Sequence, residues 1–124
     1  MRTRRFDCTT TTTRVLDFVD ITADVDATVA ACGISDGQVT VFSESSSCAL
    51  VVNERESGLI EDIRKTVDRL EGDAARSDGY LIGSNSVVLP AVHGRLRLGT
   101  WQRLLLVELE RPDTRRIVIQ IVGE

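Results

Sequence analysis

The period of apolar and polar positions changes several times along this chain, and each change marks an element. Phe6 to Asp17 holds the β-branched run Thr9–Thr13 and continues into Val15, Leu16 and Phe18, which predicts a strand in preference to a low-complexity linker. Ile21, Val25, Val29 and Cys32 then recur at helical spacing. Thr22 is placed to cap that helix, Asp24 and Asp26 sit in its first turn, and Gly33 stops it. Asp36-Gly37 is a turn signal, and Gln38 to Ser43 alternates as a strand. Cys48 to Val52 is continuously apolar, as in a buried strand, and ends at Asn53-Glu54. A second helix is predicted from Ser57 to Leu70. Its stripe is Leu59, Ile60, Ile63, Val67 and Leu70, with Glu61, Asp62, Arg64, Lys65 and Asp68 facing out. Glu61 and Lys65 are spaced for an i,i+4 pair worth about 0.3 kcal/mol. Gly72 to Gly79 reads as a polar loop. Four strands follow, over Ser86–Val92, Arg95–Thr100, Leu104–Glu110 and Arg115–Val122, with Pro112-Asp113 as the last turn. Two helices among several strands predict an α+β domain, with helices covering an antiparallel or mixed sheet.

The length of 124 residues suits a single domain over residues 1–124. The net charge of −4 argues against a non-specific nucleic-acid binder, so no nucleic-acid partner is expected. Arg2, Arg4 and Arg5 are read as a solvated terminus. No apolar run approaches membrane-spanning length and no signal-peptide core follows Met1, so a cytoplasmic protein without a membrane partner is expected. Cys8, Cys32 and Cys48 form no Cys-x-x-Cys pair, which predicts free thiols and no structural zinc. No cofactor is expected.

Candidate chemistry concentrates in a few places. Residues 93–102 hold the only His and the only Trp, beside Gly94 and Gly99. Trp101 is read mainly as a core residue that could also line a pocket, and Gln102 as a pocket residue. Glu54, after a buried run, could have a raised pKa and serve as general acid or base; a helix N-terminal charge is the competing reading. Asn53 would cap the second helix or orient a ligand. Ser45, Ser46 and Ser47 could offer hydroxyls to a phosphate with Arg76 or Arg95 as counter-charge, against the reading of an exposed loop. Arg95 and Arg97 alternate with leucines and share a face. A Cys48–His93 nucleophilic pair competes with burial, which would raise the thiol pKa and leave it inert.

The stretches Asp20-Ile21-Thr22, Asp36-Gly37 and Ala49-Leu50-Val51-Val52-Asn53-Glu54 resemble the YjbQ-like, or secondary thiamine-phosphate synthase, family. So do Asp62, Pro90, Glu108, Pro112 and the closing Gly123-Glu124. The most specific match is Gly94-Arg95-Leu96-Arg97-Leu98-Gly99-Thr100-Trp101-Gln102. The resemblance implies a small barrel-like, mainly antiparallel sheet with two covering helices, and a homotrimer. It implies weak joining of the thiamine pyrimidine and thiazole phosphates, with a physiological role that is not settled. A small phosphorylated ligand is the partner it suggests. On that reading Glu54 is catalytic, while Ser45, Ser46, Ser47, Asn53, Arg95, Trp101 and Gln102 bind substrate. The departures are specific. The family's His before two Thr is Ser45 here, and its later histidines fall at about Ala74-Ala75-Arg76. With His93 the only imidazole, no multi-His metal site can form within one chain. The alternative is therefore a family member without catalysis, acting as a ligand-binding or oligomeric scaffold protein.

Overall fold

The computed structural model describes residues 1–71 and 83–124. The loop expected over Gly72–Gly79, with Ala74 and Arg76, lies outside the described residues. The elements run β1 (Arg2–Thr11), β2 (Phe18–Asp20), α1 (Thr22–Ala31), β3 (Gly37–Ser43), β4 (Cys48–Asn53), α2 (Ser57–Glu71), β5 (Ser86–Val92), β6 (Arg95–Leu96), β7 (Arg103–Glu108) and β8 (Thr114–Gly123). One sheet has the order β1-β8-β3-β5-β6 and the other β2-β7-β4. Every ladder among the described residues is antiparallel. The two sheets curl around a shared core as a half-barrel, and the α+β expectation holds.

The main core lies between the sheets. Val39 and Val41 of β3, Leu104 and Leu106 of β7, and Ile117, Ile119 and Ile121 of β8 meet there, closed at one end by Ile21, Val25 and Val29 beside and within α1. This is the face the sequence periodicity assigned to α1. The smaller sheet buries its other face too. Leu105 and Val107 pack with Phe18 and Ala49 against Ile60 of α2. A strand buried on both sides needs apolar residues at successive positions, which is why Leu104–Val107 does not alternate. The α2 stripe is described as far as Ile63; the side chains of residues 67, 68 and 70 lie outside the described residues. Glu61 faces Arg64 at 3.8 Å, so the i,i+3 pair forms rather than the expected one with Lys65.

The N-terminal expectation is corrected. Arg2, Arg4 and Arg5 are not a loose terminus, because β1 pairs with β8 over its whole length, from Arg2 opposite Gly123 to Thr11 opposite Thr114. A long partner strand supplies the ladder that the local sequence lacks, and Arg4 sits over the Phe6 ring at 5.7 Å. The strand also ends before Asp17. Thr12 is drawn inward, and Leu16 turns with φ +58°. The helix start differs as well. Thr22 is the first helical residue rather than the cap. Asp20 Oδ1 accepts the Thr22 N–H at 3.0 Å, and Thr22 Oγ1 accepts the Leu104 N–H at 2.8 Å.

Two glycines mark the closest strand contact. Gly37 lies opposite Gly123 between β3 and β8, and a Cβ on either would stand 2.1 or 2.0 Å from a facing carbonyl oxygen. His93 and Gly94 both have positive φ and form the tight turn between β5 and β6. The His93 N–H donates to Asp36 Oδ1 at 3.2 Å, so this residue shapes a turn.

At one end of the core, Glu108 is 0% exposed. Arg115 donates to it through Nε at 2.8 Å and Nη2 at 3.1 Å, and the Thr12 hydroxyl donates at 2.7 Å. Burial pushes the Glu108 carboxyl up, but the bonds from Arg115 and Thr12 outweigh it and hold it below the usual carboxylate range. A lowered folded value means stability that is present above the unfolded pKa of about 4.3 and is lost as pH falls through the folded value. Glu108→Gln should therefore cost about 3–5 kcal/mol in urea unfolding at pH 7, since it strands the Arg115 charge. The gap to the parent chain should narrow below about pH 4, where the parent loses the same interaction. An equal gap at both pH values would contradict the charged pair.

Candidate functional site

β4 enters the smaller sheet beside β7, and its other edge meets the segment leading into β5 through a Leu50–Ser84 bridge. α2 covers the outer face of the same sheet. Between α2, the end of β4 and the start of β5 lies a cavity of about 830 Å³. Its wall is apolar: Leu50, Val51 and Val52 from β4, Ile60 and Ile63 from α2, and Val87, Val88 and Leu89 from β5, with Phe18 and Leu105 at the base. Val88 is 61% exposed, an unusual position for so apolar a side chain and one explained by its place at the mouth. Among the described residues the polar lining is Asn53, Glu54, Asp62, Thr66 and Ser84.

Two contacts set α2 at its distance from the sheet. The Glu56 carboxylate accepts the N–H groups of Gly58 and Leu59 at 2.8 and 2.9 Å, which caps the helix. These bonds lower the Glu56 pKa. Farther along, Arg64 donates Nε and Nη2 to the Leu16 carbonyl at 2.9 and 2.8 Å, and its guanidinium stacks over Phe18 at 5.6 Å. Asn53 is thus not the cap. Its Oδ1 accepts the adjacent Glu54 N–H at 2.8 Å, a local turn.

Of the residues singled out from sequence, the cavity gathers Asn53 and Glu54. Glu54 is exposed at the mouth; among the described residues the buried carboxylate is Glu108. Ser45, Ser46 and Ser47 lie at the opposite end of β4. Six residues at ~3.3 Å each put about 20 Å between the two ends, too far for one small ligand to touch both. Within the β3–β4 turn, the Ser45 carbonyl accepts from Cys48 N–H at 3.1 Å and that of Ser47 from Leu109 N–H at 3.1 Å. Arg95 is not held ready for a phosphate either. Its guanidinium forms a bidentate pair with Asp26 on α1, whose Oδ1 also accepts the Leu96 N–H at 2.9 Å. The hydrogen bonds from Arg95, with burial opposing them, lower the Asp26 pKa.

Trp101 is 75% exposed, which overturns the core reading. The bend at residues 97–102 carries it away from the apolar wall that its type suggested. Gln102 lines a separate cleft of about 320 Å³ with Thr22, Asp26, Leu98 and Arg103. Its side-chain oxygen accepts the Gly99 N–H at 2.8 Å and so holds the bend closed. Arg103 Nε meets Asp20 Oδ2 at 2.7 Å behind it.

The Cys48 thiol is also accounted for. Burial and the neighbouring Glu108 charge push it up to about 12, and Sγ lies 3.5 Å from Glu108 Oε2. It stays a protonated thiol at neutral pH, while His93 sits in the exposed β5–β6 turn. Among the described residues, no three His, Cys, Asp or Glu side chains group to hold a metal ion.

Sequence reasoning missed Asp62, Thr66 and Ser84 as cavity residues. Periodicity places Asp62 on the solvent face of α2, and it is exposed there as well as lining the cavity. Its neighbourhood with Ile63, and the i,i+4 step to Thr66, was the available signal, but only β5 turns that helix edge into a wall.

The description "UPF0047 protein YjbQ-like" matches residues 6–124. The chain belongs to this YjbQ-like family. A UPF0047 protein of Archaeoglobus fulgidus is 38% identical over 92% of this chain and 98% of its own. A YbjQ-like protein of unknown function from Sulfolobus solfataricus has 32% identity and a TM-score of 0.88, with 99% of both chains covered. A hypothetical protein from Aeropyrum pernix has 33% identity and a TM-score of 0.83 over the full length of each. The architecture above is thus the architecture of the family, while none of these relatives is described by an activity.

Proposed function

We propose that this YjbQ-like chain binds a small, largely apolar organic molecule in the cavity between α2, β4 and β5. The observation that carries this reading is the cavity itself. A volume of about 830 Å³ is within the range of ligand sites, and its wall is aliphatic with a few polar groups at the mouth. Closing the same space with α2 would have buried more apolar surface, so leaving it open lowers stability unless something occupies it. The three cysteines are free, which suits a reducing cytoplasm.

A second reading rests on Glu54. This carboxylate stands at the mouth, where it could exchange a proton with a bound molecule. With the family resemblance, that supports a weak thiamine-phosphate synthase-like activity. Against it stands the scatter of the expected phosphate groups, since Ser45–Ser47 and Arg95 are not part of the cavity wall. A homotrimer belongs to the same proposal, and the exposed Trp101 is a surface that a neighbouring copy could cover.

The uncharged dye N-phenyl-1-naphthylamine should bind saturably with enhanced fluorescence. Thr66→Trp, which places an indole in the mouth from an exposed helix position, should weaken that binding at least about tenfold without changing the circular dichroism. Absence of dye binding to the parent chain would defeat the binding proposal. For the second reading, thiamine phosphate formation should be measurable and vanish in Glu54→Gln; no turnover in either would remove it. Sedimentation equilibrium should return a particle of three 13.6 kDa chains, and a single-chain mass would refute the trimer.

A further inference from the structure

The cavity mouth has a hydrogen-bonding polarity as well as a charge. The Thr66 hydroxyl donates to the Asp62 carbonyl at 2.9 Å, and the Ser84 hydroxyl donates to the Ser86 carbonyl at 2.6 Å. With those protons directed to backbone carbonyls, the two oxygens offer their lone pairs to a ligand. Glu54 and Asp62 add two carboxylates, acceptors when ionised, and neither has a side-chain partner among the described residues. Asn53 has its oxygen engaged by Glu54 N–H, which leaves its NH₂ as a side-chain donor. No Lys, Arg or His is among the described lining residues. The nearby Arg64 is turned away, committed to the Leu16 carbonyl and the Phe18 ring.

A ligand that suits this site must itself bring N–H donors and positive charge, on a body apolar enough to lie against Val52, Ile63 and Leu89. An anionic ligand would meet two carboxylates with no described counter-charge, and a phosphate fits worst. We propose that the cavity is selective for an organic cation: a protonated amine or amidine-like group at the mouth, between Glu54 and Asp62, with an aromatic or aliphatic body inside. This rests on the proposal that the cavity binds a small molecule, and it replaces the phosphorylated ligand suggested by resemblance.

Displacement of N-phenyl-1-naphthylamine by three matched compounds tests it: 4-phenylbutylamine, 4-phenylbutanol and 4-phenylbutanoate. The amine should displace the dye at a concentration about tenfold below that of the alcohol, with the carboxylate weaker than both. The amine's advantage should shrink as salt rises. It should fall to within about twofold of the alcohol in Glu54→Gln/Asp62→Asn. Asp7→Asn, an exposed carboxylate on β1 and outside the cavity, should keep the advantage. Dye binding with no preference for the amine, or with the carboxylate ahead, overturns the charge selectivity and leaves the cavity proposal standing. Dye that fails to bind at all overturns both.

Discussion

The buried pair of Glu108 and Arg115 is the joint on which the two sheets depend. Glu108 ends β7 in the smaller sheet, and Arg115 is the second residue of β8 in the larger one. Thr12, just past the end of β1, adds its hydroxyl, and Cys48 of β4 lies against the same carboxylate. Glu108 also fixes backbone, because its carbonyl accepts from Leu16 N–H and its own N–H donates to Asp17. A charge out of water tolerates little displacement of its partners. One residue therefore fixes where β1 stops, how the chain turns through Leu16, and how the sheets meet. An apolar contact could stabilise the same end of the core, but it would not set these directions.

From that joint the cavity follows. The turn at Leu16 presents a carbonyl to Arg64, and Arg64 holds α2 over Phe18. Glu56 fixes where the helix begins. With both ends of this stretch set, Ile60 reaches the sheet while Ile63 and Thr66 stand over the gap between β4 and β5. The cavity is thus a consequence of how α2 is fastened. The segment from Arg95 to Arg103 is fastened separately, by ion pairs to Asp26 of α1 and Asp20 of β2. This is why Trp101 and Gln102 belong to a different surface from Glu54.

Family membership fits this division. The match covers residues 6–124, and the solved relatives share the same architecture. The specific run Gly94–Gln102 proves to be a turn, a short strand and a closed bend held to α1. Within it, Gln102 holds the bend and Arg95 the contact with α1. The chain's most family-specific segment and the cavity beneath α2 are separate features of the fold.

The sequence by itself determined both helices, the apolar face of α1 and that of α2 as far as Ile63, the buried run of β4 and the α+β class. These depend on local periodicity, which one segment carries alone. It also pointed to Asn53 and Glu54, because the end of an apolar run before a helix is a local signal. Only the tertiary structure decided that Arg2–Arg5 are a strand, since that needs β8 as a partner. It likewise decided that Trp101 is exposed, that Arg95 belongs to Asp26, and that Ser45–Ser47 are a strand's length from Glu54. The chemistry of a residue is written in its type, but whether its charge or hydroxyl is free depends on partners far along the chain. Glu108 and Thr12 meet across a separation of 96 residues, and no local pattern carries that information.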